Sequence, residues 1–314
     1  MKVLIYYPFT PEQIEELRAV AGGAEVLHAT TEPEALRLVP EATALLGHFP
    51  PAVFAVAKRL RWIQSFSAGL DNFLYPAVIE SDVVVTNMAG IYASQGAEHA
   101  WALLLALARG LPRFIRSQTQ RLWQRAPVVE LSGGTLGIIG LGGFGVEIAR
   151  RAAGYDMTVL ALDPVRTEPP KGVAELRPPT RAALLDLLAR SDAVMIACPK
   201  TPETIHLIGA GELKAMKPAA FLVCVTRGGI IDEAALAEAL RNGELAGAGL
   251  DVFEREPLPP DSPLWELENV IITTHIAGAS QRRPQRTFEF FRENLRRYTA
   301  GEPLLNVVDK QRGF

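Results

Sequence analysis

Short apolar runs alternate with stretches of helical periodicity along nearly the whole chain. Near the start, VLIYY at 3–7 is followed by PEQIEELRAVAGG, where Ile14, Leu17 and Val20–Ala21 recur at helical spacing. AEVLHA, TALLGH, RWIQSF and VVVTN continue the series, with turns or helix-like stretches between most of them. Alternation of this kind predicts a parallel sheet covered on both faces. It defines a small α/β domain over residues 1–93.

The loop NMAGIYASQGAEH then leads into a long apolar helix at 96–109, which reads as a hinge. A second series runs through TLGIIG, MTVLALD, AVMIACP, AAFLVCVT, LAGAGLDVF and NVIITTH. Helices are predicted at about 144–153, 180–190, 211–217 and 232–242, the last with an acidic first turn at Asp232 and an Asn242-Gly243 end. A final helix from Pro284 to about Ala300 carries Phe288, Phe290, Phe291 and Leu295, and EPLLNVVDKQRGF reads as a tail that packs back on the first domain. The predicted organisation is α/β, with two doubly wound parallel-sheet domains and an interdomain cleft. One comprises 1–93 plus 284–314, the other 94–283.

Composition narrows the possible partners. A chain of 314 residues suits two cores, and 48% hydrophobic with 21% charged residues is ordinary for a globular protein. A net charge of −3, with Lys and Arg spread along the chain, offers no field for nucleic acid or anionic lipid. MKVLIYYPFTPEQ turns polar too soon for a signal peptide, and WALLLALA at 101–108, bounded by His99 and Arg109, is too short to span a membrane. Cys198 and Cys224 lie in apolar runs, as buried thiols rather than metal ligands or a disulfide, which fits a cytoplasmic protein.

The most informative stretch is TLGIIGLGGFG, from Thr135 to Gly145. Gly140, Gly142 and Gly145 have the G-x-G-x-x-G spacing between a strand and a helix: the first permits the turn, the second lets a pyrophosphate approach, the third lets helix and strand pack closely. The N–H groups and positive dipole end of the helix would face the phosphates. Asp163 follows 23 residues after Gly140, at the end of the next strand. Its carboxylate suits adenosine ribose hydroxyls and repels a 2′-phosphate, which favours NAD over NADP. Arg166 is near enough to meet a phosphate if the loop bends back.

Four further segments place polar groups at strand ends: SAGLDN at 67–72, TRGGIID at 226–232, LDVFEREP at 250–257 and TTHIAGAS at 273–280. Hydride transfer between a nicotinamide and a carbonyl carbon needs a proton donor and a cation to polarise the oxygen. His275 and Arg227 are the candidates, with a carboxylate to orient the imidazole and the N–H groups of Ala68 and Gly69 to receive a substrate carboxylate. Spacing alone leaves Glu254 and Glu256 open as that carboxylate. Taken singly, each segment is more ordinary: a histidine after a strand is commonly a capping residue, and Arg-Gly-Gly is a common loop.

Jointly and in order, GIIGLGGFG, CPKTPETIHLIGAGELKAMKPAAFLV, TRGGIIDEAALAEAL, GLDVFEREPLPPDSPLWELENVIITTHIAG and FSAGLDN make the chain resemble the D-isomer-specific 2-hydroxyacid dehydrogenases. The resemblance implies a flavodoxin-like substrate domain and a Rossmann NAD-binding domain. It implies Arg227, Glu256 and His275 as the catalytic set, which decides for Glu256 over Glu254, and Ala68–Gly69 as the turn for substrate carboxylate. It implies cofactor contacts at Gly140, Gly142, Gly143, Phe144, Gly145, Asp163, Pro199, Thr226, Asp251 and His275, with Asp251 on the nicotinamide carboxamide. Departures from the family pattern are Thr274 for a proline, Ala277-Gly278 after the histidine, Cys224-Val225-Thr226 before the arginine, and Ala197 for a histidine.

REPLPPDSPLW and NVVDKQRGF look most similar to glyoxylate/hydroxypyruvate reductases, which implies a small 2-oxo or 2-hydroxy acid as substrate. A short-form phosphoglycerate dehydrogenase and an NAD-binding corepressor-like module are the alternatives. Trp101, the 96–109 helix and LPRFIRSQTQRLWQR are expected, by the same resemblance, to build a homodimer.

Overall fold

A computed structural model describes residues 1–314, which divide into two compact units, Met1–Tyr92 with Ser280–Phe314, and Ala93–Ala279. No helix is long and apolar enough to cross a membrane.

The first unit holds five parallel strands, β1 (Lys2–Tyr6), β2 (Glu25–His28), β3 (Ala44–Gly47), β4 (Trp62–Ser65) and β5 (Val84–Thr86), in the order β2-β1-β3-β4-β5. That is the flavodoxin-like order. The two-residue period of a strand sends side chains alternately into two cores. Val3, Ile5, Ala44, Leu46 and Trp62 pack with Ile14 and Leu17 of α1 (Pro11–Val20) and with Phe288, Phe291 and Leu295 of the C-terminal helix Arg283–Ala300. Leu4, Leu45 and Ile63 point the other way, toward α2 (Glu32–Leu38), α3 (Pro51–Val56) and α4 (Pro76–Ile79). The sharp start of α1 has a local cause: Thr10 Oγ1 accepts from Gln13 N at 3.3 Å while Gln13 Oε1 accepts from Thr10 N at 3.0 Å. The C-terminal tail does return to this unit: Val307 bridges Thr86 in antiparallel sense, and Val308 N donates to Val85 O at 2.9 Å.

The second unit begins with α5 (Ala93–Ala108) and α6 (Leu111–Thr119). It continues through β6 (Thr135–Ile139), α7 (Gly143–Ala152), β7 (Thr158–Leu162), β8 (Glu175–Arg177), α8 (Arg181–Arg190), β9 (Ala193–Ile196), α9 (Ala210–Ala215), β10 (Phe221–Cys224), α10 (Glu233–Arg241), β11 (Gly247–Leu250) and β12 (Val270–Ile272). All seven strands are parallel, in the order β12-β11-β10-β9-β6-β7-β8. The order reverses between β6 and β9, and in such sheets ligands bind beyond the carboxyl ends at that reversal. Leu136, Ile138, Val159, Met195 and Val223 face α5 and α7, whereas Ile139, Leu160, Leu162, Ile196 and Leu222 face α8, α9 and α10.

Three elements differ from the sequence pattern. Helix α5 starts at Ala93 rather than 96 because the small residues of ASQGA pack as well as the apolar run after them. Strand β8 has only three half-buried residues and so no hydrophobic alternation to betray it. Helix α6 buries none of its residues.

Candidate active site

Register lines up the carboxyl ends of the second sheet. Ile272, Leu250, Cys224, Ile196, Ile139 and Leu162 are consecutive partners across β12, β11, β10, β9, β6 and β7. The expected chemistry leaves the sheet just beyond this row: His275 three residues after Ile272, Asp251 one and Glu256 six after Leu250, Arg227 three after Cys224, Pro199 three after Ile196, Gly140 and Gly142 one and three after Ile139, and Asp163 one after Leu162. Parallel strands lie about 4.8 Å apart, so neighbouring ends are within reach of one side chain.

At the glycine turn each position has its own constraint. Gly140 has φ +94°, and a β-carbon there would stand 2.5 Å from Cys198 N; one at Gly145 would stand 2.1 Å from Gly140 O. Gly142 differs, since nothing lies within 4 Å of the place its β-carbon would take. It is also the N-cap of α7 and brings no side chain to accept from the first-turn N–H groups, so the helix start is open to an anion. Gly143 opens that first turn. Phe144 turns its ring away onto α5, filling the space a β-carbon of Gly96 would occupy, and can offer the turn only its backbone.

Asp163 is tied into the same turn. Its Oδ2 accepts from Leu141 N at 2.7 Å, and its Oδ1 from Val165 N at 2.9 Å and Arg166 N at 2.8 Å. A carboxylate has about four acceptor positions, so roughly one remains for a ribose hydroxyl. The loop does bend back: Arg166 Nε donates to Leu141 O at 3.2 Å, which sets an exposed cation beside the acid. Pro199 is exposed, and its carbonyl accepts from Thr204 Oγ1 at 2.8 Å. The Thr226 hydroxyl oxygen is buried with no hydrogen-bond partner in the chain. An orphaned hydroxyl beyond β10 and an open helix start beyond β6 are what a bound dinucleotide would satisfy, so the residues present fit NAD.

The imidazole and its carboxylate meet directly. His275 Nδ1 lies 2.7 Å from Glu256 Oε2, and Glu256 Oε1 accepts from Phe253 N at 3.0 Å, which leaves His275 Nε2 without a partner in the chain. Glu254 goes elsewhere: its exposed carboxylate lies 3.1 Å from His206 Nε2 and accepts from Glu233 N at 3.1 Å. Arg227 Nη1 donates to Thr226 O at 2.8 Å, in the half-buried turn after β10.

Asp251 is wholly buried and already occupied by Thr273 Oγ1 at 2.6 Å, Ile276 N at 2.9 Å and Ala277 N at 2.8 Å. Burial alone would raise its pKa, but hydrogen bonds from His99, Thr273 and the N–H groups of Ile276 and Ala277 hold its carboxyl below the usual range. His99, known in the sequence only as a boundary of the apolar helix, and Thr273, the first residue of TTHIAGAS, meet at that acid through contacts far apart in the chain.

In the first unit, the Ala68–Gly69 turn is fastened by its carbonyls. Met88 N donates to Ser67 O at 3.0 Å, Asn87 Nδ2 to Ala68 O at 2.8 Å, and Ser67 Oγ to Gly69 O at 2.8 Å. The N–H groups of Ala68 and Gly69 donate to nothing in the chain, an arrangement suited to an anion. Asn87 is thus a further contributor that the sequence pattern did not single out, whereas Ser67 opens the SAGLDN segment already named.

Comparison with known proteins identifies the family. Residues 101–277 match the family model described as D-isomer specific 2-hydroxyacid dehydrogenase, NAD binding domain. A glyoxylate reductase of Korarchaeum cryptofilum is 40% identical over 82% of this chain and 79% of its own length. A D-3-phosphoglycerate dehydrogenase of Archaeoglobus fulgidus is 37% identical over 98% of this chain, which spans only 59% of that protein. Among solved structures, a D-isomer specific 2-hydroxyacid dehydrogenase from Xanthobacter autotrophicus, in complex with NADPH and MES, superposes with a TM-score of 0.86 at 32% identity, covering 100% of this chain and 99% of that one. The chain belongs to the D-isomer specific 2-hydroxyacid dehydrogenase family, and its second unit is the NAD-binding domain.

Proposed function

We propose that this protein reduces a small 2-oxo acid, such as glyoxylate or hydroxypyruvate, to the corresponding 2-hydroxy acid, of D configuration where the product is chiral, and runs the reverse oxidation. The observation that carries this is the 2.7 Å contact between His275 Nδ1 and Glu256, with Nε2 left open. NADH, when bound, supplies the hydride. Negative charge then develops on the substrate oxygen, and His275 Nε2–H donates the proton that quenches it. Glu256 stabilises the charged imidazole and fixes its orientation. Arg227 polarises the carbonyl before transfer, and the N–H groups of Ala68 and Gly69 receive the substrate carboxylate. In the oxidative direction His275 takes the hydroxyl proton back.

The surroundings of the Ala68–Gly69 turn favour an uncharged substituent. Phe66 lies 4.4 Å from His48 and 5.5 Å from Phe73, ring centre to ring centre. Burial depresses the His48 pKa, so the ring is neutral at pH 7. Such a lining supports glyoxylate and hydroxypyruvate over a phosphate ester. NADH oxidation with glyoxylate, hydroxypyruvate and phosphohydroxypyruvate tests this: the first two should exceed the third by at least about tenfold in kcat/KM. Preference for the phosphorylated acid would move the assignment to a short-form phosphoglycerate dehydrogenase. No turnover across the panel, with NADH still bound, would favour a corepressor-like binding module.

The protein works as a homodimer in this reading. Support comes from α6 and the segment after it, where Leu111 and Ile115 are exposed and Trp123 is 100% exposed. Sedimentation should give twice the chain mass, and Trp123→Asp should shift it toward one; a monomeric wild type ends this part of the proposal.

A further inference from the structure

The left-handed turn that carries His275 is held by a hydrogen-bonded relay that starts on another element and ends on the buried Asp251. Helix α5 places His99 Nε2 2.8 Å from Thr273 Oγ1 and 3.4 Å from Asp251 Oδ1. Because the Thr273 hydroxyl gives its proton to Asp251 at 2.6 Å, it accepts from His99, which makes Nε2 the protonated ring nitrogen. Asp251 in turn binds three successive N–H groups: its carbonyl accepts from His275 N at 2.8 Å, Oδ1 from Ile276 N and Oδ2 from Ala277 N. His275 has φ +54°, a backbone that is strained for a residue with a β-carbon and persists only where its surroundings over-determine it. Asp251 supplies that determination. A carboxylate shut off from water needs its full set of donors, and His99 is the only ionisable side chain among those hydrogen-bonded to it.

We propose that His99 is a positioning residue for the acid–base histidine: acting through Thr273 and Asp251, it sets the turn that brings His275 onto Glu256. This rests on the acid–base reading of His275 given above. His99 touches neither substrate nor reacting atoms in this account. Without its N–H, the Thr273 hydroxyl loses its partner, Asp251 loses the N–H that lies 3.4 Å from Oδ1, and the turn relaxes toward an ordinary backbone.

Three substitutions test the relay. His99→Leu removes the donor and keeps much of the volume, His99→Gln returns an amide N–H near the position of Nε2, and Thr273→Val keeps the shape without the hydroxyl. His99→Leu should lower kcat for 2-oxo acid reduction by about a hundredfold, the cost of a misplacement near 1 Å, with little change in substrate KM or NADH affinity. Gln should recover most of that loss. Thr273→Val should reproduce the Leu defect, and the double variant should be no worse than either single one. A crystal structure of His99→Leu should find His275 Nδ1 withdrawn from Glu256. If His99→Leu does not fold, the Gln and Thr273→Val variants carry the same comparison. Wild-type kcat in Leu with only a lower Tm, or a Gln variant as impaired as Leu, overturns the proposal. His275→Ala separates the two levels: an active His275→Ala defeats the acid–base reading, whereas an inactive one beside a fully active His99→Leu defeats only the relay.

Discussion

Two alanine substitutions three residues apart should separate cofactor binding from folding. At Gly145 the added β-carbon would stand 2.1 Å from Gly140 O and 3.3 Å from Ile138 Cγ2. A carbon–oxygen contact needs about 3.3 Å, so helix α7 must retreat from β6 by roughly 1 Å. Overpacking of this kind costs about 1–3 kcal/mol, or a Tm loss of a few degrees, and it carries the helix start away from the phosphates. At Gly142 the added carbon meets nothing within 4 Å, and φ −71° with ψ −160° suits alanine. Gly142→Ala should therefore fold with wild-type Tm, within the roughly 0.5 kcal/mol typical of surface changes. Its methyl group nevertheless stands where the pyrophosphate must approach the backbone. Losing one charge-assisted hydrogen bond, about 1.5–3 kcal/mol, weakens NADH binding between tenfold and a hundredfold or so. Fluorescence titration with NADH beside a thermal melt reads both quantities on one sample. Unchanged NADH affinity in a stably folded Gly142→Ala would refute the placement of the phosphates at this turn.

Arg166 lies against the Leu141 carbonyl next to Asp163, so Arg166→Ala should raise the NADPH KM by about tenfold, the worth of one charged contact to a 2′-phosphate, with little effect on NADH. Equal effects on both cofactors would remove the arginine from discrimination. His48 should give stability an acid-side slope. Since burial lowers its folded pKa, the unfolded chain takes up the proton first; stability is full above about pH 6.5 and falls as pH drops through that value toward the depressed one. Denaturant melts from pH 7.5 to 5 should be flatter for His48→Gln, and parallel curves would contradict the assignment.

Much of this was legible in the chain because parallel strands buried on both faces are near-continuous apolar runs. AVMIACP, AAFLVCVT and NVIITTH announce β9, β10 and β12, and the polar residues that end each run supply the candidate site. The glycine triplet was legible for the same local reason: the turn, the helix start and the acid lie within one strand-helix-strand unit. Elements with weak local signals escaped notice, among them β8, whose three residues are half-buried. Long-range partners escaped as well. Nothing near His99 in sequence points to Thr273, 174 residues on, and the fastening of Ala68 by Asn87 is visible only once β4 and β5 lie side by side. The resemblance points to Asp251 as a cofactor contact, and only the fold shows that its carboxylate also accepts from Thr273 Oγ1 and from the N–H groups of Ile276 and Ala277.

The proposed reaction turns on delivery of a proton from the imidazole at 275 to the substrate oxygen. Single-turnover reduction of glyoxylate by His275→Ala, at saturating NADH and with binding confirmed by fluorescence, isolates that step. The rate should fall by about a thousandfold or more, the contribution of a well-placed general acid, with NADH affinity unchanged. A rate within a few fold of wild type would contradict it.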